Sequence, residues 1–454
     1  MSFRRELPPM LRLAIPIVLA DLGWMFMGIV DTMMVGRIKP DTAAAIGAVS
    51  VGSVFFYTAA MVGGGLILGL DTLVSHAYGA GRRDECKHSL LNGLYMILPL
   101  APILMALVWL SLPLFRWFHY EPMLIREIAR FTRPLVWSMP PLFVYFAFRR
   151  YLQAISRPRP VMFALVTANL VNFAGNWILI YGHFGAPAMG TAGSAWSTVV
   201  ARIYMAAVLV LYAVYEGWPW HISWQPDLSC IRRLVLLGTP AAGQIIFEIS
   251  VFAIAGALIG KLGEIPLAAH QIAINTVSTT YMVPLGISSA AAVRVGQALG
   301  RGDPRGAAHS GWTAIALGAG FMSCCAVVLL AVPRLIGRAY TADMPVVEAS
   351  VSLLAVGAAF QLFDGIQTSV TGALRGAGDT RTPMLCHLVA YWVIGLPAGY
   401  ILCFPFHRGA AGMWTGLCIA LILIGIVLLW AWWRKVQTLE RLGPGALAGR
   451  YQAV

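Results

Sequence analysis

The sequence predicts an all-α membrane protein, with twelve transmembrane helices in two six-helix bundles related by an axis along the membrane normal. Three observations predict it. Hydrophobic residues make up 59% of the 454-residue chain and charged residues only 11%, whereas about a quarter of a soluble domain is charged. Apolar runs of about 20 residues, the length that crosses the hydrocarbon, recur from end to end. Finally, the stretch from Val293 to Gly302 has an echo from Val74 to Gly81: Val74 falls on Val295, Ala77 on Ala298, Gly79 on Gly300 and Gly81 on Gly302. Each copy closes an apolar run and opens a short basic loop, so the chain reads as one unit written twice.

The candidate helices 1 to 12 lie near 12–36, 44–70, 89–113, 131–151, 160–181, 190–215, 234–260, 266–293, 308–332, 347–374, 383–405 and 410–433. Arg4, Arg5 and Arg12 precede an apolar run with no obvious cleavage site, which reads as a first membrane helix and not a signal peptide. The segment Tyr181 to Pro187 breaks a long run into helices 5 and 6. Twelve crossings put both termini on one side. That side carries the groups around Arg82, Arg149, Arg232, Arg301, Arg375 and Arg434, twenty basic residues against ten in the opposite loops. The imbalance places both termini in the cytoplasm. The net charge of +13 is then positive-inside topology, and no nucleic-acid partner is expected. Seven scattered cysteines give no disulfide or metal spacing.

The halves match elsewhere. Pro16 aligns with Pro240, Gly36-Arg37 with Gly260-Lys261, Pro160 with Pro383, and Gly190 with Gly409. The expected domains are a bundle at 1–215, a cytoplasmic linker at 216–233, a second bundle at 234–433 and a cytoplasmic tail at 434–454. Six helices per half is an even number, so the repeats run parallel. Secondary transporters commonly place substrate between such repeats.

An ionisable side chain deep in the bilayer is a functional hypothesis by default. The clear cases are Asp21, Asp31, Arg202, Glu248 and Asp364. Asp31 lies on helix 1, Asn172 and Asn176 share one face of helix 5, and Thr198 lies on helix 6. Their oxygens suit a sodium ion, or a carboxylic acid that gains and loses a proton. Glu248 is centred on helix 7. Asp364 is centred on helix 10, with Gln361 and Gln367 beside it. Their repeat partners, Trp24 and the Pro140-Pro141 region, are not acidic, an asymmetry that architecture alone does not demand. Asp21 lies about 15 Å into helix 1 and Arg202 about 16 Å into helix 6 from the other side. At matched depth they are expected to form a structural ion pair that binds no substrate. His270 and His387 read as hydrogen-bonded helix residues.

These residues resemble the multidrug and toxic compound extrusion (MATE) family, in its NorM-like branch. Asp31 to Gly36 resembles the family's helix 1, and Leu70-Asp71-Thr72-Leu73 with Ala77 to Gly81 resembles the end of its helix 2. Ala268 to Ala273, Tyr281 to Gly286 and Arg294-Val295-Gly296 resemble its helix 8, and Leu374 to Asp379 the loop after helix 10. His76 departs from the family's usual Gln. The resemblance implies two bundles forming a cleft, with export of organic cations by alternating access against inward protons or sodium ions. It implies that Asp31, Asn172, Asn176 and Thr198 are the cation-coupling cluster of the N-terminal lobe. Glu248 and Asp364 match acidic cation- or substrate-binding positions of the C-terminal lobe, and Pro16 is a hinge in helix 1. No structural metal is expected. Sodium in transit at Asp31, or at Glu248 and Asp364, is the one metal the residues suit. A monomer in the cell membrane suffices, with membrane lipid and small organic cations as partners. The alternative reading is a flippase for lipid-linked precursors, whose anionic cargo calls for buried basic residues, whereas the central charges here are mostly acidic. An enzyme is not expected: no His-Glu-x-x-His or Gly-x-Ser-x-Gly pattern occurs, and no phosphate-binding loop points to direct use of ATP.

Overall fold

The computed structural model describes residues 3–38, 42–113, 122–217 and 224–452, so 218–223 in the middle of the linker lie outside the described residues. Every regular element in it is helical. Eleven helices are long and apolar enough to cross a membrane among the described residues. Helix 1 is Phe3–Val35, helix 3 Arg83–Ser111, helix 5 Arg159–Tyr181, helix 6 Thr191–Tyr215, helix 7 Leu228–Gly260 and helix 8 Glu264–Gly300. Helix 9 is Pro304–Ala331 and helix 10 Met344–Gly376. Helix 4 is the crossing missing from the eleven. It is broken into Pro122–Val136 and Met139–Ala154 because Pro140 and Pro141 lack the N–H groups that would continue the ladder. Helix 2 breaks at Leu68 into Thr42–Ile67 and Gly69–Gly79. Helix 11 runs from Arg381 to Cys403 through a wider π-helical stretch, Leu388–Gly395. Helix 12 does not stop at 433: Gly409–Gln452 is one helix. Trp432 is fully buried, while Trp430 is half exposed and carries the Arg434 guanidinium 4.2 Å from its ring centroid.

Aspartates start several helices. Asp303 accepts the Gly306 N–H at 2.8 Å, Asp227 those of Ser229 and Cys230, and Asp379 that of Thr382. Each satisfies a backbone donor that the helix leaves unpaired. Hydrogen bonds from Ser229 hold the Asp227 carboxyl below the usual carboxylate range.

Packing groups the chain differently from its linear order. One compact unit, the N-terminal unit, comprises Leu19–Val74 and Arg82–Ala242; the other, the C-terminal unit, comprises Met1–Val18, Ser75–Gly81 and Gly243–Val454. Helix 1 changes affiliation just after Pro16, and helix 7 just after Pro240. The two echoing stretches meet within the C-terminal unit. A Cβ on Gly79 would lie 2.2 Å from the Gln297 carbonyl oxygen, and a Cβ on Gly300 2.2 Å from that of His76. These glycines are therefore close-approach positions as well as helix ends. His76 is buried, with Nε2 2.8 Å from the Gly376 carbonyl oxygen, a structural role for the residue that departs from the family pattern. A further cluster in this unit centres on Trp414, Phe360 and Tyr391, where the Trp414 indole donates to His270 Nδ1 at 3.0 Å.

Candidate functional site

In the N-terminal unit, helices 1, 5 and 6 bring the four expected cluster residues together. Asn176 Nδ2 donates to Asp31 Oδ1 at 2.6 Å and to Asn172 Oδ1 at 3.2 Å. Thr198 Oγ1 donates to Asp31 Oδ2 at 3.3 Å. Asn172 and Asn176 are fully buried, and their four-residue spacing points both at helix 1. The Ser197 hydroxyl donates to the Asn172 carbonyl at 2.7 Å and ties helix 6 to helix 5. Asn176 Oδ1 is buried without a hydrogen-bond partner. With the carboxylate, Asn172 Oδ1 and Thr198 Oγ1, it forms a set of hard oxygens of the kind that suits sodium. The same carboxylate can carry a proton.

The expected ion pair between Asp21 and Arg202 is not formed. Arg149 takes Asp21 instead, donating to Oδ1 at 2.5 Å, with both side chains under a tenth exposed. Helix 4 continues to Ala154, so Arg149 sits more than a turn inside the helix. Tyr145, one turn before Arg149, stacks on Trp24, three residues after Asp21, with 6.5 Å between centroids. Helix 4 thus packs along the Asp21 face of helix 1, and depth alone did not reveal the neighbour. Arg150 reaches Asp71 in the same way at 3.5 Å.

Arg202 is 1% exposed, and no carboxylate lies within 4 Å of it among the described residues. Its guanidinium carbon lies 4.6 Å from the ring centroid of Phe56 and 5.7 Å from those of Trp24 and Tyr57. It donates to Ser138 Oγ at 2.5 Å and to the Tyr57 hydroxyl at 3.4 Å. Ser138 stands at the break in helix 4, where its hydroxyl donates to the Leu135 carbonyl oxygen and accepts from Arg202.

In the C-terminal unit, Asp364 is buried and accepts from Gln367 Nε2 at 3.0 Å. Gln361 Nε2 donates to Thr280 Oγ1 at 2.9 Å. Among the described residues, Glu248 has one basic neighbour at ion-pair distance, the fully buried His387, whose Nε2 lies 3.9 Å from Oε2. His387 Nδ1 is 2.7 Å from the Pro383 carbonyl oxygen and donates to it, so Nε2 presents its lone pair towards Glu248 and Gln244, the latter at 3.5 Å. His387 is the hydrogen-bonded helix residue the sequence suggested, and its place beside Glu248 was not foreseen. Arg294 answers Glu6 at 2.7 Å, and Ser310 donates to the same carboxylate oxygen. Groups of three or more His, Cys, Asp or Glu able to hold a metal ion are absent among the described residues.

The family model for MatE matches residues 16–178 and again 240–401, once in each half and starting on the two repeat prolines. The chain belongs to the MatE family. It is 33% identical to a probable multidrug resistance protein NorM of Mesorhizobium japonicum, over 97% of this chain and 96% of that protein. It is 35% identical to the multidrug resistance protein NorM of Burkholderia vietnamiensis, over 96% of each. Among solved structures, a eukaryotic MATE transporter, AtDTX14, superposes with a TM-score of 0.86 at 21% identity, over 97% of this chain and 100% of that one. A MATE protein in a bent conformation gives a TM-score of 0.87 at 15% identity. The chain is thus a multi-pass membrane transporter of the multidrug efflux type, and not an enzyme.

Proposed function

We propose that this transporter exports organic cations from the cell in exchange for inward protons or sodium ions. It works as a monomer in the cell membrane, with both termini in the cytoplasm. One observation carries the reading. Of the carboxylates along the spans, Glu6, Asp21 and Asp71 have arginine partners. Asp31, Glu248 and Asp364 have no lysine or arginine within 4 Å among the described residues. A carboxylate within a membrane span without a fixed partner is costly to keep, and it is the group that a mobile cation can neutralise. In this reading Asp31, Asn172, Asn176 and Thr198 hold the coupling ion, Glu248 and Asp364 hold cation or cargo, and Pro16 is the bending point of helix 1. Exchange requires each ligand to favour a different-facing state.

The test is efflux of ethidium from proteoliposomes under a pH gradient and a sodium gradient imposed separately. One gradient drives efflux in the wild type and names the ion. Asp31→Asn, Glu248→Gln and Asp364→Asn each abolish gradient-driven efflux. Efflux under neither gradient, or full activity in Asp31→Asn, overturns the reading.

A further inference from the structure

A guanidinium is itself an organic cation. Arg202 is held as such a ligand would be held, on the faces of three aromatic rings. Cation–π attraction of this kind is how aromatic cages recognise quaternary and guanidinium cations. The cage is built from distant parts of the chain: Trp24 on helix 1, Phe56 and Tyr57 on helix 2, and Ser138 at the break of helix 4. Arg202 Nε is buried without a hydrogen-bond partner, so the aromatic faces, and not a full set of acceptors, hold the charge.

The cage also adjoins the Asp31 cluster. Arg202 follows Thr198 by one helical turn, and Asp31 follows Trp24 by two, so both pairs lie on matching faces of helices 1 and 6. Arg202 and Asp31 are thus opposite charges on neighbouring parts of helices 6 and 1, joined through the Thr198 hydrogen bond to Asp31. The polar interior of the N-terminal unit is thus balanced: Asp21, Asp71 and Asp31 stand against Arg149, Arg150 and Arg202. Among the described residues of the C-terminal unit, no lysine or arginine lies within 4 Å of Glu248 or Asp364. Arg294 is taken by Glu6, and Arg375 lies eleven residues beyond Asp364, about 16 Å along helix 10.

We propose that Arg202 is a built-in surrogate for an organic cation, which closes the N-terminal unit to cationic cargo and leaves cargo binding to Glu248 and Asp364. This rests on the export reading above and sharpens it by dividing the labour. Asp31 serves only a small coupling ion, because a second bulky cation next to a fixed guanidinium would meet an occupied cage and a repulsive charge.

The test uses purified full-length protein and two probes. Ethidium binding is followed by fluorescence polarisation. The expected result is that Asp31→Asn leaves its Kd within about twofold of wild type, while Glu248→Gln or Asp364→Asn weakens it about tenfold or more. Thermal melts are then run with and without ethylguanidinium. Arg202→Ala opens the cage, and ethylguanidinium raises its melting midpoint while leaving wild type unmoved. Arg202→Lys keeps a charge in the cage and gains no such response. Loss of ethidium binding in Asp31→Asn comparable to that in Glu248→Gln overturns the inference whether or not the Arg202 variants fold. So does a folded Arg202→Ala that ethylguanidinium does not stabilise. Failure of the wild type to bind ethidium at all would instead strike the export reading on which this one rests.

Discussion

Within the N-terminal unit, Asp21 and Asp71 each face an arginine at ion-pair distance, whereas Asp31 is met by the Asn176 amide and the Thr198 hydroxyl. Within the C-terminal unit, Glu248 and Asp364 are met by an imidazole and an amide, with no lysine or arginine within 4 Å among the described residues. The same side-chain type therefore serves two purposes. Where a carboxylate is answered by a guanidinium, it fixes one helix to another, and its charge is spent on architecture. Where it is answered only by neutral groups, its charge stays available to whatever enters. Depth in the membrane does not separate the two cases, but the partner does.

The sharpest way to break this comparison is to neutralise one acid in each unit and follow stability. Asp21→Asn strands Arg149 as a buried charge without its counter-ion, a change that costs about 3–5 kcal/mol. The double variant Asp21→Asn with Arg149→Met should recover much of that loss, since replacing a whole buried pair by neutral groups is far milder than removing half of it. Glu248→Gln removes a carboxylate that no arginine answers, so its melting midpoint in detergent should match or exceed that of wild type. Equal destabilisation by Asp21→Asn and Glu248→Gln would mean that the two kinds of acid are not distinct.

The close contact between the echoing stretches offers a smaller test, now within one unit. Gly79 and Gly300 each face a backbone carbonyl at a distance that no methyl group tolerates. A backbone atom cannot swing aside as a flexible side chain can. Gly300→Ala should therefore cost about 1–3 kcal/mol, the range for overpacking a tight contact. Gly185, which has open space around it, does not share that constraint.

Much of this was legible in the sequence, and the exceptions have a common cause. Span positions follow from hydropathy, and the repeat follows from matched glycines and prolines. The Asp31 cluster could be assembled because its members sit at fixed helical spacings and resemble a family pattern. The pairing of Asp21 with Arg149 is not directly legible in the sequence, because Arg149 lies among the basic residues that set the topology. A signal was present: Tyr145 and Arg149 are one turn apart, as are Asp21 and Trp24 within a residue, so two helices carried matching aromatic and charged positions. The Arg202 cage had no such signal, because its members come from four helices whose adjacency no local pattern encodes. The regrouping of the first part of helix 1 and of Ser75–Gly81 with the C-terminal unit is likewise a property of packing.

The smallest effect tests how far the two halves remain equivalent where function does not intervene. Helix 4 and helix 10 end on the same hydrogen-bonded turn. Arg157 N–H donates to Leu152 O at 2.8 Å and Ser156 N–H to Gln153 O at 2.9 Å; Asp379 N–H donates to Leu374 O and Gly378 N–H to Arg375 O, both at 2.9 Å. This pattern closes a helix through one left-handed residue. That residue is Ser156 at φ 63° in one half and Gly378 at φ 77° in the other. A Cβ in the left-handed region costs about 1–2 kcal/mol, and the first half already bears that cost. Gly378→Ala should therefore destabilise by about 1 kcal/mol, whereas Ser156→Ala, which leaves the strain where it was, should stay within about 0.5 kcal/mol of wild type. Paired melts of the two variants decide it. If alanine is tolerated equally at both positions, the left-handed turn does not limit the stability of helix 10.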